Sequence, residues 1–194
     1  MRNLFKSKDY AIILPVGGYN GMIIRTSEIS DLSQIVNLLN QAKSYFERSG
    51  IDQWQNGYPN GDNILQDIVE GKSFVFFDHN QVLGTMYFTI GKEPNYEVIE
   101  DGQWLTDSDT YAVMHRIVVD ERIKGKGVAK QMLDYVESVA KQSHIGSLRI
   151  DTHKDNLSMQ RFLQKNGFQP CGIIYVEDGT QRIGFEKILN KKNS

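Results

Sequence analysis

The spacing of apolar positions along the chain changes several times, and each change predicts an element. From Asp31 onward Leu32, Ile35, Val36, Leu38, Leu39, Ala42, Tyr45 and Phe46 recur at helical spacing, between Ser30 as a candidate cap and Gly50. This pattern predicts an amphipathic helix. The stretch Gly50 to Gly61 sets Trp54, Tyr58 and Pro59 among polar residues, and a short helix follows from Asp62, its expected cap, to about Glu70. The period then becomes that of strands: Ser73 to Phe77 and Val82 to Ile90 are β-rich and joined by Asp78, His79, Asn80 and Gln81, a hairpin. Gly91 to Asp109 is polar, holds Pro94, Tyr96, Gly102 and Trp104, and reads as a long loop or partly formed strand whose length hints at function.

A strand from Tyr111 to Val119 runs into a Gly-Lys-Gly turn and a helix from about Gly127 to Gln142, with Val128, Met132, Tyr135, Val136 and Val139 on one face. The strand Ser147 to His153 completes a β-α-β pattern. A helix from about Asp155 to Asn166 then closes at Gly167, its expected C′ residue, before a terminal hairpin of Phe168 to Val176 and Gln181 to Leu189.

At 194 residues the chain fits one domain, and 40% hydrophobic against 24% charged residues is too apolar for a disordered chain. The first strand-like run opens at Met22, which sets residues 1–21 apart as an extension and assigns 22–190 to the domain. Charge narrows the partners: 22 basic against 24 acidic residues leave a formal net charge of -2, so no global field attracts nucleic acid or an anionic membrane. Any anion site must therefore be local. Cys171 is the only cysteine, which excludes an intramolecular disulfide and a zinc site of several cysteines, so no metal is expected and a reducing cytoplasm suits the chain. No apolar run of about 18 residues predicts a bilayer span. Tyr10 to Val16 resembles a short signal h-region, but the residues after it supply no convincing cleavage site, and the expected location is cytoplasmic.

The local anion site is the turn Lys124-Gly125-Lys126-Gly127-Val128-Ala129. Glycine permits left-handed backbone angles and close approach of a ligand, while the first amides of a helix carry unpaired N–H groups and the positive dipole end. Two lysines add positive charge, so a diphosphate suits the turn. A Walker A loop would need Gly-Lys-Ser/Thr and a dinucleotide fingerprint would need three spaced glycines with a later acidic residue; neither is present.

Val119 through Ala129 resembles the Arg/Gln-x-x-Gly-x-Gly/Ala turn of the GCN5-related N-acetyltransferase (GNAT) family, with Lys124, Gly127 and Ala129 in the pattern and lysine in place of arginine. The overlapping register Arg122, Gly125, Gly127 also satisfies it. Asn156, Met159, Phe162, Leu163, Gly167 and Phe168 match the family's second run, Asn-x-x-Ala-x-x-Leu-Tyr-x-x-x-Gly-Phe. The resemblance covers residues 22–189 in element order. It implies a mixed α/β fold: a mostly antiparallel central sheet flanked by helices, with splayed fourth and fifth strands, here Tyr111 to Val119 and Ser147 to His153.

It further implies acetyl-CoA as cosubstrate. The turn residues Lys124, Gly125, Lys126, Gly127, Val128 and Ala129 would hold its diphosphate. The backbone of Ile117, Val118 and Val119 would bind the pantetheine arm, with Asn156, Met159 and Phe162 from the other side; Asn156 is equally suited to be a helix cap. The family's proton-donating tyrosine falls on Leu163, which cannot serve, so Tyr175 and Ser158 become candidates. The family's strand glutamate is missing too, leaving His115 as the candidate base, with His153 as a weaker rival. Strand alternation places Tyr111, Val113, His115 and Ile117 on one face if no bulge intervenes.

Trp54, Gln55, Tyr58, Tyr96 and Trp104 are candidate acceptor-pocket residues, each equally able to anchor the core. Glu93, Glu97, Glu100, Asp101, Asp107 and Asp109 make the long loop acidic, a surface that attracts a cationic amine. The expected function is acetyl-CoA-dependent N-acetyl transfer to an amine of a small molecule or peptide. The alternative is a non-catalytic coenzyme A binding or sensor protein, motivated by Leu163 and the missing strand carboxylate. The apolar faces of the terminal hairpin are compatible with a homodimer.

Overall fold

The computed structural model describes residues 22–189 and the backbone of Ile12–Ile13. In chain order the strands are β1 (Ile12–Ile13), β2 (Ile23–Thr26), β3 (Ser73–Asp78), β4 (Gln81–Gly91), β5 (Tyr111–Val119), β6 (Ser147–Thr152), β7 (Gln169–Tyr175) and β8 (Gln181–Ile188). The helices are α1 (Leu32–Arg48), α2 (Gly61–Val69), α3 (Val128–Gln142) and α4 (Leu157–Lys165). Apart from β1, whose Ile12 and Ile13 pair with Ile24 and Ile23, the expected extension over residues 1–21 lies outside the described residues.

Two compact units are built from interleaved segments. Among the described residues, the first holds those up to Phe46, Trp54–Tyr87 and Arg116–Met132; the second holds Glu47–Gln53, Phe88–His115 and those from Leu133. In the first unit β2, β3 and β4 pair antiparallel in sequence order, and the hairpin turn puts His79 and Asn80 at φ +42 and +64, the left-handed geometry that matches strand twist. Ile35, Leu38 and Leu39 of α1 and Ile64 of α2 pack on Val75, Val82 and Val118. That is the core stripe the helical spacing predicts.

In the second unit β5 pairs parallel with β6, β6 antiparallel with β8, and β8 antiparallel with β7. The β5–β6 register covers only Ala112 with Leu148 and Val113 with Arg149, although β5 continues to Val119 and β6 to Thr152. The parallel partners therefore splay beyond their first residues, and the sheet is mixed and mostly antiparallel. Tyr96, Tyr111, Val113 and Ile174 form the buried core here, with Trp104 packed against them. Among the described residues no helix is long and apolar enough to cross a membrane.

Two N-terminal caps differ from expectation by a residue or two, and the ends of α4 fall where the sequence offered them. Ser30 lies within a short 3-10 turn, Ile29–Asp31, that leads into α1, and the capping box is made by Glu28 and Asp31. Asn60, not Asp62, caps α2, accepting from the N–H groups of Asp62 and Asn63. Both neighbours carry suitable acceptors, so only geometry separates them. At α4, Asn156 caps the helix, and Gly167 at φ +86 terminates it while Phe168 N–H returns to the Leu163 carbonyl.

Candidate active site

After β5 the chain turns at Asp120, which is buried. Its carboxylate accepts from Arg122 N–H at 2.9 Å and from Arg122 Nε and Nη2 at 2.8 Å each. These bonds hold the Asp120 carboxyl below its ordinary range against the opposing effect of burial. Arg122 is thus engaged within the turn. Gly125 and Gly127 take φ +83 and +84, and a Cβ at either would meet nothing within 4 Å, so one side of the turn is an open cradle lined by backbone. The first helical bond of α3 runs from Gln131 N–H to the Gly127 carbonyl, so the amides of Val128 and Ala129 precede the helical ladder. Lys124 places its ammonium 4.0 Å over the Tyr45 ring.

His115, near the middle of β5, is held by two carboxylates. Nε2 lies 3.4 Å from Glu93 Oε2 and Nδ1 lies 3.2 Å from Asp151 Oδ2. Tyr96 adds a hydroxyl that donates to Asp151 Oδ2 at 2.7 Å, and its ring meets the imidazole edge-on. Burial alone would lower the His115 pKa; the bonds to Asp151 and Glu93 outweigh it and raise the pKa to about 9. By the same exchange burial pushes both carboxyls up and His115 pulls them back below their usual range. At neutral pH the site is therefore an imidazolium between two carboxylates. Such a histidine donates protons; it does not accept one near pH 7.

Tyr111 is buried and accepts the backbone N–H of Glu93 on its hydroxyl at 3.0 Å. It positions Glu93. Tyr175 stands half-exposed on β7, donating to Glu100 at 3.3 Å and accepting from Gln181 at 3.0 Å. Trp104 donates from Nε1 to the Tyr96 carbonyl at 3.0 Å, and a Cβ on Gly184 would come within 2.7 Å of its ring. It is a core anchor. His153 is buried, with Nδ1 accepting from Asp155 N–H, and its pKa is lowered chiefly by that burial.

Arg116 follows His115 and takes φ +51, so the strand is irregular there and the alternation through Tyr111, Val113 and His115 does not carry on to Ile117. Its guanidinium donates to the Tyr58 hydroxyl and to Asp67 of α2 and lies 4.8 Å from the Tyr87 ring centre. Burial raises the Asp67 pKa, and Arg116 only partly offsets the rise. Tyr58 remains 42% exposed, Gln55 donates to the Lys43 carbonyl, and Trp54 packs edge-on against Phe46. Of the candidate acceptor residues in this unit, Trp54 serves the core, whereas Tyr58 and Gln55 face solvent.

In the second unit the Asn156 carbonyl oxygen accepts Met159 N–H at 3.2 Å and its amide donates to Gln53 Oε1 at 3.0 Å. Thr152, at the end of β6, has a buried hydroxyl oxygen with no hydrogen-bond partner among the described residues. An orphaned hydroxyl and an amide already oriented by a cap suit a polar chain such as pantetheine. Met159 and Phe162 are partly buried and Ser158 is exposed. Leu163 is fully buried, so the position of the missing tyrosine belongs to the core.

Glu93, Asp151 and Gln53 are among the polar residues to which sequence reasoning gave no individual role. Glu93 was visible only as one charge of an acidic loop, and Asp151 alternates with the apolar Leu148 and Ile150, the signature of a solvent-facing position. No grouping of three or more His, Cys, Asp or Glu among the described residues could hold a metal ion; the two ring nitrogens of His115 face different carboxylates.

Comparison with known proteins gives this geometry a context. Residues 34–168 match the model of the Acetyltransferase (GNAT) family. A GNAT-family acetyltransferase from Streptococcus agalactiae 2603 has a similar structure, with a TM-score of 0.79 and 31% identity over 89% of this chain and 98% of that one. The PaiA N-acetyltransferase from Thermoplasma acidophilum, solved in complex with coenzyme A, shares the fold at a TM-score of 0.65 and 18% identity, over 87% of this chain and 99% of its own. Uncharacterized protein YdhI of Bacillus subtilis is 33% identical over 58 residues, a match spanning 30% of this chain and only 36% of that relative. With a family match over more than half its length and a near full-length structural relative, the chain belongs to the GNAT family of acetyltransferases.

Proposed function

We propose that the chain is an acetyl-CoA-dependent N-acetyltransferase that passes acetyl directly to an amine of a small molecule or peptide, without a covalent enzyme intermediate. The observation that carries this reading is the glycine turn: two left-handed glycines with open space beside them, followed at once by the unladdered amides of α3. Acetyl-CoA, when bound, supplies the acetyl group as an activated thioester. The amides of Gly127, Val128 and Ala129, with Gly125 and the charges of Lys124 and Lys126, hold the diphosphate. The backbone of Ile117, Val118 and Val119 binds the pantetheine arm, and Asn156, Met159 and Phe162 are assigned to it by the family motif.

The imidazolium of His115 keeps Glu93 ionised, and Tyr111 fixes the Glu93 backbone. Glu93 then accepts a hydrogen bond from the incoming ammonium as a fixed negative charge, and the ammonium gives its proton to water before attack. With Leu163 in the core, the departing thiolate takes its proton from solvent. Tyr58 and Gln55 remain candidate acceptor contacts, and separately the acidic loop attracts a cation.

Calorimetric titration of acetyl-CoA into wild type and Gly127→Trp, with circular dichroism to confirm that the variant folds, tests the cosubstrate site. Saturable binding by wild type that is lost in the folded variant supports it; no binding, or binding that the variant leaves unchanged, overturns it. Thiol release with a panel of amines then separates transfer from coenzyme A binding without turnover.

A further inference from the structure

Gln53 is a buried polar residue that the reaction scheme leaves without a role. It is 8% exposed and Asn156 is 5% exposed, and the bond between their amides joins positions 103 residues apart. Burying two amides is unfavourable unless each finds a partner, so this pair fixes the loop to the start of α4. Asp52 acts electrostatically on His153, which places the same segment at the β6–α4 junction, and within the segment Gln53 N–H closes a tight turn to the Ile51 carbonyl. The Asn156 side chain has two distinct connections. Its oxygen caps α4, and its nitrogen reaches Gln53.

We propose that Gln53 is a positioning residue that ties the segment Glu47–Gln53 to the cosubstrate-binding end of α4, so that coenzyme A held at Asn156 also orders that segment. The inference rests on the assignment of Asn156 to the pantetheine arm. The physical argument is one of linkage: a ligand that fixes the Asn156 amide removes the rotation by which the Gln53 bond breaks, and the loop then opens less often. Loss of the bond leaves the cap intact, because Met159 N–H is received by the oxygen and not by the nitrogen. Gln53 is therefore separable from the stability of α4.

The test is hydrogen exchange of residues 47–53 with and without free coenzyme A, in wild type, Gln53→Met and Gln53→Glu, with affinity measured by calorimetry. Methionine keeps the volume and removes the acceptor; glutamate keeps an acceptor for Asn156 Nδ2. Coenzyme A should slow exchange of the segment in wild type and Gln53→Glu and leave it unchanged in Gln53→Met, whose affinity should fall by about fivefold, the worth of one neutral hydrogen bond. If Gln53→Met does not fold, Gln53→Ala replaces it, and thermal melts of both without ligand establish that α4 persists. Equal protection in the variant lacking the acceptor overturns the proposal. Binding to wild type without protection of residues 47–53 overturns it while leaving the functional reading intact; absence of coenzyme A binding to wild type overturns both.

Discussion

Nδ1 of His115 lies 3.2 Å from Oδ2 of Asp151, a contact that joins β5 to β6 where their pairing has ended. The imidazole is flanked by Glu93 on its other nitrogen, and the consequence is a positive charge held between two negative ones. That arrangement makes the histidine a stability determinant as well as a candidate member of the active site.

The pH dependence has a definite sign. A histidine pKa raised from 6.5 to about 9 by its partners contributes stability that is fully present below the unfolded pKa and is lost as pH rises through 9. The depressed pKa values of Glu93 and Asp151 contribute stability above their unfolded values that is lost as pH falls through the folded ones. Wild-type stability should therefore fall as pH rises from about 6.5 to about 9, the interval between the unfolded and folded histidine values. His115→Gln should lose about 2–3 kcal/mol at neutral pH, since the pair is partly solvent-screened. It should lose less in mild acid, where the abandoned carboxylates take up protons. Denaturant unfolding from pH 4 to 10, together with the His115 ring resonances in NMR, reads both effects; a His115 that titrates near 6.5 contradicts the paired imidazolium.

Leu163 is a second point at which the family motif and the structure bear on each other. It is fully buried, on the helix that Asn156 caps. Replacing it by tyrosine restores the motif's letter but inserts a phenol into packed core, an overpacking that costs about 1–3 kcal/mol. Leu163→Tyr should lower the melting temperature and should not increase turnover in a thiol-release assay. A stable variant with raised turnover would mean that the position does communicate with the departing thiolate.

The local features were legible because their signals are local. The strand, glycine turn and helix from Tyr111 to Gln142 appear where the spacing put them, and so do both hairpins. The imidazolium cluster was not legible. Its partners come from the long loop and from β6, and strand alternation assigns Arg149 and Asp151 to water when the loop in fact covers them. Trp104 and Thr106 lie over Arg149, so β6 is buried on both faces and its charges are paired inside. Strict alternation also does not anticipate Arg116, where β5 continues through a residue of positive φ.

The same covered face holds a buried ion pair. Arg149 Nε donates to Glu186 Oε1 at 3.0 Å, with the guanidinium between the rings of Trp104 and Tyr111. Glu186 also accepts the N–H groups of Leu105 and Thr106 and the Thr106 hydroxyl. Removing one partner strands a buried charge: Arg149→Met or Glu186→Leu should each cost about 3–5 kcal/mol. The double variant should cost clearly less than the sum, yet more than nothing, because the two loop amides also lose their acceptor. Urea unfolding of the four proteins measures the coupling; additive losses would show that the pair acts through no direct interaction.

Gly102 has a role that its φ does not disclose. A Cβ there would stand 1.9 Å from the Cys171 carbonyl oxygen, beside the two hydrogen bonds of 2.8 Å that Glu100 and Ile173 exchange. The obstacle is backbone, which cannot swing aside as a flexible side chain can, so accommodating a methyl means separating the loop from β7. Gly102→Ala should therefore lose more than about 2 kcal/mol, well beyond the roughly 0.4–1 kcal/mol that reduced unfolded-state entropy would return. Gly146→Ala is the control: nothing lies within 4 Å of its Cβ position and its φ is not in the left-handed range, so it should be neutral or slightly stabilising. If urea unfolding shows the two substitutions to be equivalent, the loop does not sit against β7 as closely as the Cys171 contact requires.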